Sequence, residues 1–327
     1  MTTSNADVAT LEHSVAMFRA VRLRTLLAFS AIFIVWGSTY LAIKYAVAEI
    51  PPFLTAGIRH LTAGSVMLLW ARAKGQRATL EEWRHSAVVG LLFFLIGHGL
   101  LHWAERFVPS GVAALLIATE PMWIALLLAV TAQSRLRLRT VTGLLLGLFG
   151  VWIVVGFDPA GSTSALGTFT VVISAIAWGA GVVYSQRAPL PADATMRTAT
   201  TLLTGAAMLL GASGLAGEFS EARTPSALAI GSLAYLIVFG SILAFTAYFW
   251  LLERYSATLV ATHTFVNPAV AVILGWAIGD EAMSASLVAG LVVIAASIAL
   301  VRQAEPAPNP KQETQPSCLL GPNTRKV

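Results

Sequence analysis

Two stretches decide how this chain is read: Ser110-Gly-Val-Ala-Ala-Leu-Leu-Ile-Ala-Thr-Glu120-Pro121 and Thr258-Leu-Val-Ala-Thr-His-Thr-Phe-Val-Asn267-Pro268. Each follows a Glu-Arg pair, Glu105-Arg106 and Glu253-Arg254, and opens an apolar run long enough to cross a membrane. Each sets one polar residue directly before a proline, well inside that run. Proline at such depth removes a backbone donor and can kink the helix, leaving carbonyls free. The prolines are 147 positions apart, as are Gly143 and Gly290, and Gly150 and Ser297. Trp36-Gly37 recurs 142 positions on at Trp178-Gly179, and Gly64 and Met67 recur after 141 at Gly205 and Met208. The chain is a duplicated unit, and its paired proline helices are where the work is expected.

Composition sets the solvent. Of 327 residues 57% are hydrophobic and 11% charged, with a mean hydropathy of +0.75. Soluble domains carry about 25% charged residues, so this chain is built for lipid. The net charge of +5 does not point to nucleic acid, because the basic residues sit in short loops between apolar runs. A single cysteine, Cys318, lies in a polar tail, which excludes a disulfide framework and a thiolate metal site. The C-terminus is not a prenylation box. Arg19, Arg22 and Arg24 precede an apolar stretch, and Ala46-Val47-Ala48 resembles a signal-peptidase site. The stretch runs past Trp36 to Ile43, longer than a signal-peptide core, so it reads as a retained first span.

Windows of about 20 apolar residues predict ten spans. They cover 26–43, 53–71, 86–104, 110–131, 140–156, 166–184, 196–216, 227–250, 257–278 and 285–301. Pro51-Pro52, Pro109, Pro159, Pro189, Pro191 and Pro225 fall in the gaps, where they break nothing. The expected fold is an all-α polytopic membrane protein. It has a tail at 1–25, five-helix repeats at 26–156 and 166–302, and a proline-rich tail at 303–327 that reads as disordered. Lys and Arg number 17 on the side of the N-terminus and 3 on the other, with Arg59 inside a span. The positive-inside rule then puts both termini in the cytoplasm. Five spans per repeat turn the second copy upside down. Accordingly, Ser134-Arg-Leu-Arg-Leu-Arg139 after span four answers to Gly279-Asp-Glu281 after span nine, with opposite charge. Inverted repeats of this kind mark secondary transporters, whose substrate site lies near the midplane between the repeats.

Val35-Trp-Gly-Ser-Thr-Tyr40, Val108-Pro-Ser-Gly-Val-Ala-Ala-Leu-Leu116, Pro121 and Gly279-Asp-Glu281 resemble the drug/metabolite transporter superfamily. More narrowly they resemble its ten-span permeases of two EamA domains, over residues 26–302. That resemblance implies an inner-membrane carrier exporting amino acids, other metabolites or drugs through a central cavity by alternating access. The acidic residue that follows the proline helix is present in the second copy as Glu281, whereas the first has Ser134. Glu120 stands outside the family pattern.

Individual residues carry the chemistry of such a cavity. Glu120 sits near the bilayer centre, where a charge costs roughly 2.5–3.5 kcal/mol on insertion scales. It is a candidate for binding a substrate amine or a coupling proton, against a structural role as a hydrogen-bonded glutamate. Asn267 is its repeat partner, and membrane asparagines also bond helices together. His263 lies one turn earlier on the same face. Arg59, with His60 beside it, can snorkel to headgroups or hold a substrate anion. Trp36, Tyr40, Trp103, Trp123 and Trp178 can line an aromatic cavity or populate an interfacial belt. Pro121 and Pro268 are the expected helix breaks.

His98, His102 and Glu105 recur at i, i+4 and i+7, a spacing able to bind metal. One helix supplies them all, and no nucleophile elbow, phosphate loop or HExxH motif is present. The sequence therefore calls for no cofactor and no enzyme. The reading is a bacterial plasma-membrane permease for small organic solutes, monomer or homodimer, with the bilayer as its other partner. Alternatives are a lipid or lipid-precursor flippase and, further off, a metal transporter, a membrane metallo-enzyme or a non-transporting scaffold.

Overall fold

The computed structural model describes residues 22–131, 138–156, 164–221, 224–252, 254–255, 260 and 263–304. Ser134, Arg135, Arg137, Arg223, Glu253, Thr258 and nearly all of both tails lie outside them. Every regular element described is helical. The helices are α1 (Arg22–Val47), α2 (Pro52–Ala73), α3 (Leu80–Ala104), α4 (Ser110–Thr131) and α5 (Leu138–Gly156). They continue as α6 (Ala165–Ser185), α7 (Ala194–Leu215), α8 (Ala227–Leu251), α9 (His263–Ala277) and α10 (Ala285–Ala304). A single turn of helix, Glu218–Glu221, precedes α8.

Length and composition make α1, α3, α4, α6, α7 and α8 able to cross a membrane. Helices α5, α9 and α10 hold shorter apolar cores, Val141–Ile153, Val266–Ala277 and Ala285–Ser297. At 22 residues α2 is long enough, roughly 33 Å at the usual rise, but it includes Arg59, His60 and Arg72. The starts follow capping chemistry. Pro52 opens α2 at a position whose N–H would go unused. Thr79 and Glu82 form a capping box for α3, and Ser164, Asp193 and Ser226 cap α6, α7 and α8. Leu69, Leu138 and Leu215 are 71%, 81% and 93% exposed. Each would forgo about 1.5–3 kcal/mol of burial in water, a loss that a surrounding bilayer removes.

The packing repeats itself across the two halves. Helix α2 packs on α7, α5 on α10 and α4 on α9, each joining equivalent members of the two copies. Helix α1 packs on α8 and α9, while its counterpart α6 packs on α3 and α4. Exchanging the copies therefore maps the contact pattern onto itself. Small residues permit the approach: a Cβ on Gly64 would lie 2.9 Å from Leu203 of α7, and one on Gly150 would lie 2.7 Å from Ile294 of α10.

The α1–α2 end of the bundle is stitched by carboxylates that reach from one half to helix starts of the other. Glu218 accepts from the N–H groups of Phe53 and Leu54 at 3.2 and 2.8 Å, at the start of α2. Glu49 accepts from the N–H and hydroxyl of Ser226, both at 2.6 Å, at the start of α8. Glu281 accepts from Ser110 and Gly111 at 2.8 and 3.1 Å, at the start of α4, and pairs with Lys44 at 2.9 Å. Orphan donors and the positive end of the helix dipole make each of these an anion seat.

Candidate functional site

Two of the long helices widen into π-helical turns at matching places, Leu91–Gly99 in α3 and Leu236–Leu243 in α8. In each, the carbonyl of a glycine takes a side chain from the other copy: Gly240 accepts from Trp36 Nε1 of α1 at 3.1 Å, and Gly97 accepts from the Ser174 hydroxyl of α6. A third wide turn, Ala31–Val35, lies in α1 and has no counterpart in α6. Such turns leave backbone groups unpaired inside a helix and recur at functional sites.

Between these turns lies a cavity of about 60 Å³, measured as the space open to the centre of a water molecule. At roughly 10–15 Å³ per water, it suits a small solute. Glu120, Asn267, Arg59, Trp36, Tyr40, Trp178, His263 and His98 all line it, with Pro268. Pro121, Trp103 and Trp123 do not. Trp103 instead packs on Phe107, and Trp123 donates to the Thr119 hydroxyl at 3.1 Å. The wall also includes Thr39, Ser174 and Thr264, which the sequence reading did not single out. Thr39 lies three residues after Trp36 and Ser174 four before Trp178, so helical spacing alone could have found those two.

The two proline helices are built differently. Helix α4 runs from Ser110 to Ile117, turns at Ala118-Thr119 and restarts at Glu120. Pro121 thus occupies the first turn of a new helix, where it displaces no hydrogen bond, and Glu120 sits at a positive helix end. In α9, by contrast, Pro268 lies inside the continuous helix His263–Ala277. The expected symmetric weakening is a full break in one copy and an uninterrupted helix in the other.

The polar residues before the prolines differ in the same sense. The Glu120 side chain is buried, and among the described residues no hydrogen bond or ion pair reaches its carboxyl. Asn267 is fully engaged. With its amide oriented to suit its neighbours, Nδ2 donates to Ile32 O at 3.1 Å, Phe33 O at 2.9 Å and His263 O at 3.1 Å. Its oxygen accepts from His263 Nδ1 at 3.2 Å. Ile32 and Phe33 belong to the wide turn of α1, so Asn267 satisfies carbonyls that the turn leaves free.

Arg59 is 1% exposed and lines the cavity, so its head does not reach the headgroups. Its Nε donates to Ser241 of the α8 turn at 2.8 Å, and Nη1 has no partner. A Cβ on Gly240 would lie 3.1 Å from Arg59 Nη2 and 2.8 Å from Thr39, so glycine there makes room for the guanidinium. No ion pair joins Arg59 to Glu120 among the described residues. Aromatic rings frame the charges. Trp36 lies 5.0 Å from the His263 ring, and Trp178 is stacked between Phe93 and His98 at 4.4 and 5.0 Å. His98 is hydrogen-bonded to His60 at 2.9 Å, and His102 Nδ1 donates to the His98 carbonyl at 2.7 Å. The His98 and His102 rings are 6.0 Å apart, and no cluster of described residues is arranged to hold a metal.

Comparison with known proteins places this architecture. The sequence pattern of the EamA-like transporter family matches residues 23–156 and 165–303. The uncharacterized inner membrane transporter YedA of Escherichia coli K12 is 35% identical over 273 residues, covering 83% of this chain and 88% of its own. The uncharacterized transporter YvbV of Bacillus subtilis is 29% identical over 303 residues, covering 92% and 97%. A solved crystal structure, 24% identical, superposes with a TM-score of 0.60 over 86% of this chain and 97% of its own, which shows a shared fold.

Proposed function

This chain belongs to the EamA-like transporter family, and we propose that it exports small organic solutes across the bacterial plasma membrane by alternating access. In this reading α1–α10 are ten spans in two inverted five-helix repeats, 26–156 and 166–302, with both termini cytoplasmic. The cavity between the repeats is the carrier site. One observation carries the proposal: a cavity is lined by a carboxyl (Glu120) and a guanidinium (Arg59), neither of which forms an ion pair among the described residues, together with Trp36 and Trp178. Unpaired charges at membrane depth are costly and mark substrate or ion pathways. Arg59 suits an anionic group of the solute, Glu120 an amine or a proton, and the indole faces an apolar or cationic body.

The contacts also suggest how the site opens. Glu49, Glu218 and Glu281 close the α1–α2 end by joining the two halves. Opening the cavity towards that end requires those contacts to part, while Arg59 and Glu120 stay with their own helices. A thermal-stabilisation screen of purified protein against amino acids, cationic dyes and nucleosides tests the site, since a solute bound to the native state raises its melting temperature. A solute that stabilises the wild type and is carried into proteoliposomes supports the reading. A hit whose stabilisation survives both Glu120→Gln and Arg59→Gln contradicts it.

A further inference from the structure

Eight buried side-chain polar atoms lack a hydrogen-bond partner among the described residues, and seven of them lie in or at the ends of helices that pack against one another, α2, α3, α4 and α6. They are Arg59 Nη1, His60 Nδ1, His102 Nε2, both oxygens of Glu105, and the hydroxyls of Ser110 and Thr168. Arg59, His60, His102 and Glu105 are 1%, 0%, 0% and 4% exposed. The group starts at the cavity with Arg59 and His98 and climbs α3 through His102 to Glu105 at the α3–α4 turn, about 10 Å by helical rise. There the start of α4 brings Ser110, and the start of α6, packed on the last turn of α3, brings Thr168. Eight such atoms match the few per hundred residues that native interiors leave unsatisfied, so it is their grouping and not their number that singles them out. Water bound along these groups would form a column beside three imidazoles and a carboxyl.

We propose that α3 carries a hydrated proton path from the α3–α4 turn to the cavity, with Glu105 as its outer acceptor and His102 and the His60–His98 pair as its relay. The proposal rests on the transport reading only for the final acceptor, Glu120. The hydrogen bonds set the direction of each step. His102 gives its Nδ1 proton to the His98 carbonyl, so its free lone pair is on Nε2, the unpartnered atom. In the tautomer with His60 Nε2–H donating to His98 Nδ1, the pair keeps a free lone pair at His60 Nδ1, also unpartnered, and a free N–H at His98 Nε2. A proton entering at Glu105 turns carboxylate into acid. Passed through water to His102 Nε2, it restores the carboxylate and makes an imidazolium. Passed on to His60 Nδ1, it is matched by the proton that His98 Nε2 releases across the cavity to Glu120. One proton moves at each step and no electrons do.

The Arg59 charge faces His60, His98 and His102 and opposes an imidazolium on each, so on this path the protonated rings are transient carriers and not resting states. From α1, Tyr40 and Lys44 interact with Glu105, and from α2 so does Arg59; Glu281 adds its charge from beyond α9. Helix α6 contributes only Tyr184, which is bonded to His85 at its far end. Histidine and carboxyl chains in membranes are the usual substance of proton relays.

Magic-angle-spinning NMR of the full chain in lipid bilayers, with 15N-labelled histidine, tests the path without any substrate. Peaks are assigned by single replacements, His60→Asn and His102→Asn. The expected result is direct magnetisation transfer from water to His102 Nε2 and His60 Nδ1, with proton exchange slowed at least tenfold in Glu105→Gln while the histidine shifts stay native. Imidazoles with no water contact overturn the proposal, because the column is then dry. Water contact with exchange unchanged in Glu105→Gln overturns it equally, because Glu105 is then not the entry. Either failure leaves solute binding at Glu120 and Arg59 untouched, so the two readings fail separately.

Discussion

The two proline helices began as copies of one sequence pattern and have parted in structure. In α4 the helix is cut at Ala118-Thr119, and at the restart stands a carboxyl that no hydrogen bond or ion pair reaches among the described residues. In α9 the helix is continuous through Pro268, and the amide of Asn267 is spent on carbonyls of the α1 turn. A free ionisable group at a broken helix is poised to bind something else, whereas a fully bonded amide holds its neighbours in place. Duplication thus supplied two equivalent sites beside one cavity. In the proposed function the first is the working group and the second a brace.

Glu120→Gln should break this contrast most sharply. It keeps size and hydrogen bonding but removes the titratable proton and the charge. Uphill transport in proteoliposomes should fall by about 100-fold or more, the scale of a lost buried charge contact. If Glu120 carries the coupling proton, the variant still binds solute but loses its pH dependence; if it holds an amine, binding weakens at every pH. Next in size is Arg59→Lys, which keeps charge but loses the planar fork that also bonds Ser241. Solute KM should rise roughly tenfold, equivalent to about 1.4 kcal/mol, with normal insertion. An unchanged KM would return Arg59 to a packing role.

How much of this was legible in the sequence depends on which force does the work. The all-helical membrane character, with six long apolar spans, and the duplication were, because apolar runs and repeated Trp-Gly and proline positions survive as local pattern. Seven cavity residues were named from depth, helix face or repeat position, since burying a charge or a large aromatic ring at mid-span needs a special reason, and His98 from its spacing to His102 and Glu105. The wide turns were not, and with them Gly240, Ser241 and the true partners of Arg59 and Asn267. A π-helical turn adds one residue without changing hydropathy, so no periodicity announces it. The Glu281 motif was visible as an acid after a proline helix, but its task of capping α4 and pairing Lys44 depends on a contact 171 positions away. The run of His98, His102 and Glu105 was seen only as a metal-like spacing, and the His60 that bonds to His98 comes from another helix.

The brace side of the comparison is sharpened by Asn267→Ala. That change strands the Ile32 and Phe33 carbonyls and should destabilise the protein by about 1–3 kcal/mol, read as a lower melting temperature with solute affinity largely kept. The smallest effect concerns the stitching at the α1–α2 end. Hydrogen bonds from the Ser226 hydroxyl and N–H hold the Glu49 carboxyl below the usual carboxylate range. Its folded value is depressed, so its contribution is present above the ordinary carboxylate pKa and is lost as pH falls through the lowered one. Glu49→Gln should therefore lower the melting temperature slightly at pH 7 and leave it unchanged near pH 3; an equal loss at both would show that charge is irrelevant there.

The most direct measurement compares the two halves in one experiment. The melting-temperature rise produced by a transported solute is recorded for the wild type, Glu120→Gln and Asn267→Ala under identical conditions. The account predicts that Glu120→Gln keeps a near-native baseline but loses the solute-dependent rise or its pH dependence, while Asn267→Ala melts earlier and keeps the rise. A full, pH-responsive rise in Glu120→Gln together with its loss in Asn267→Ala would contradict it and move the binding group to the second copy.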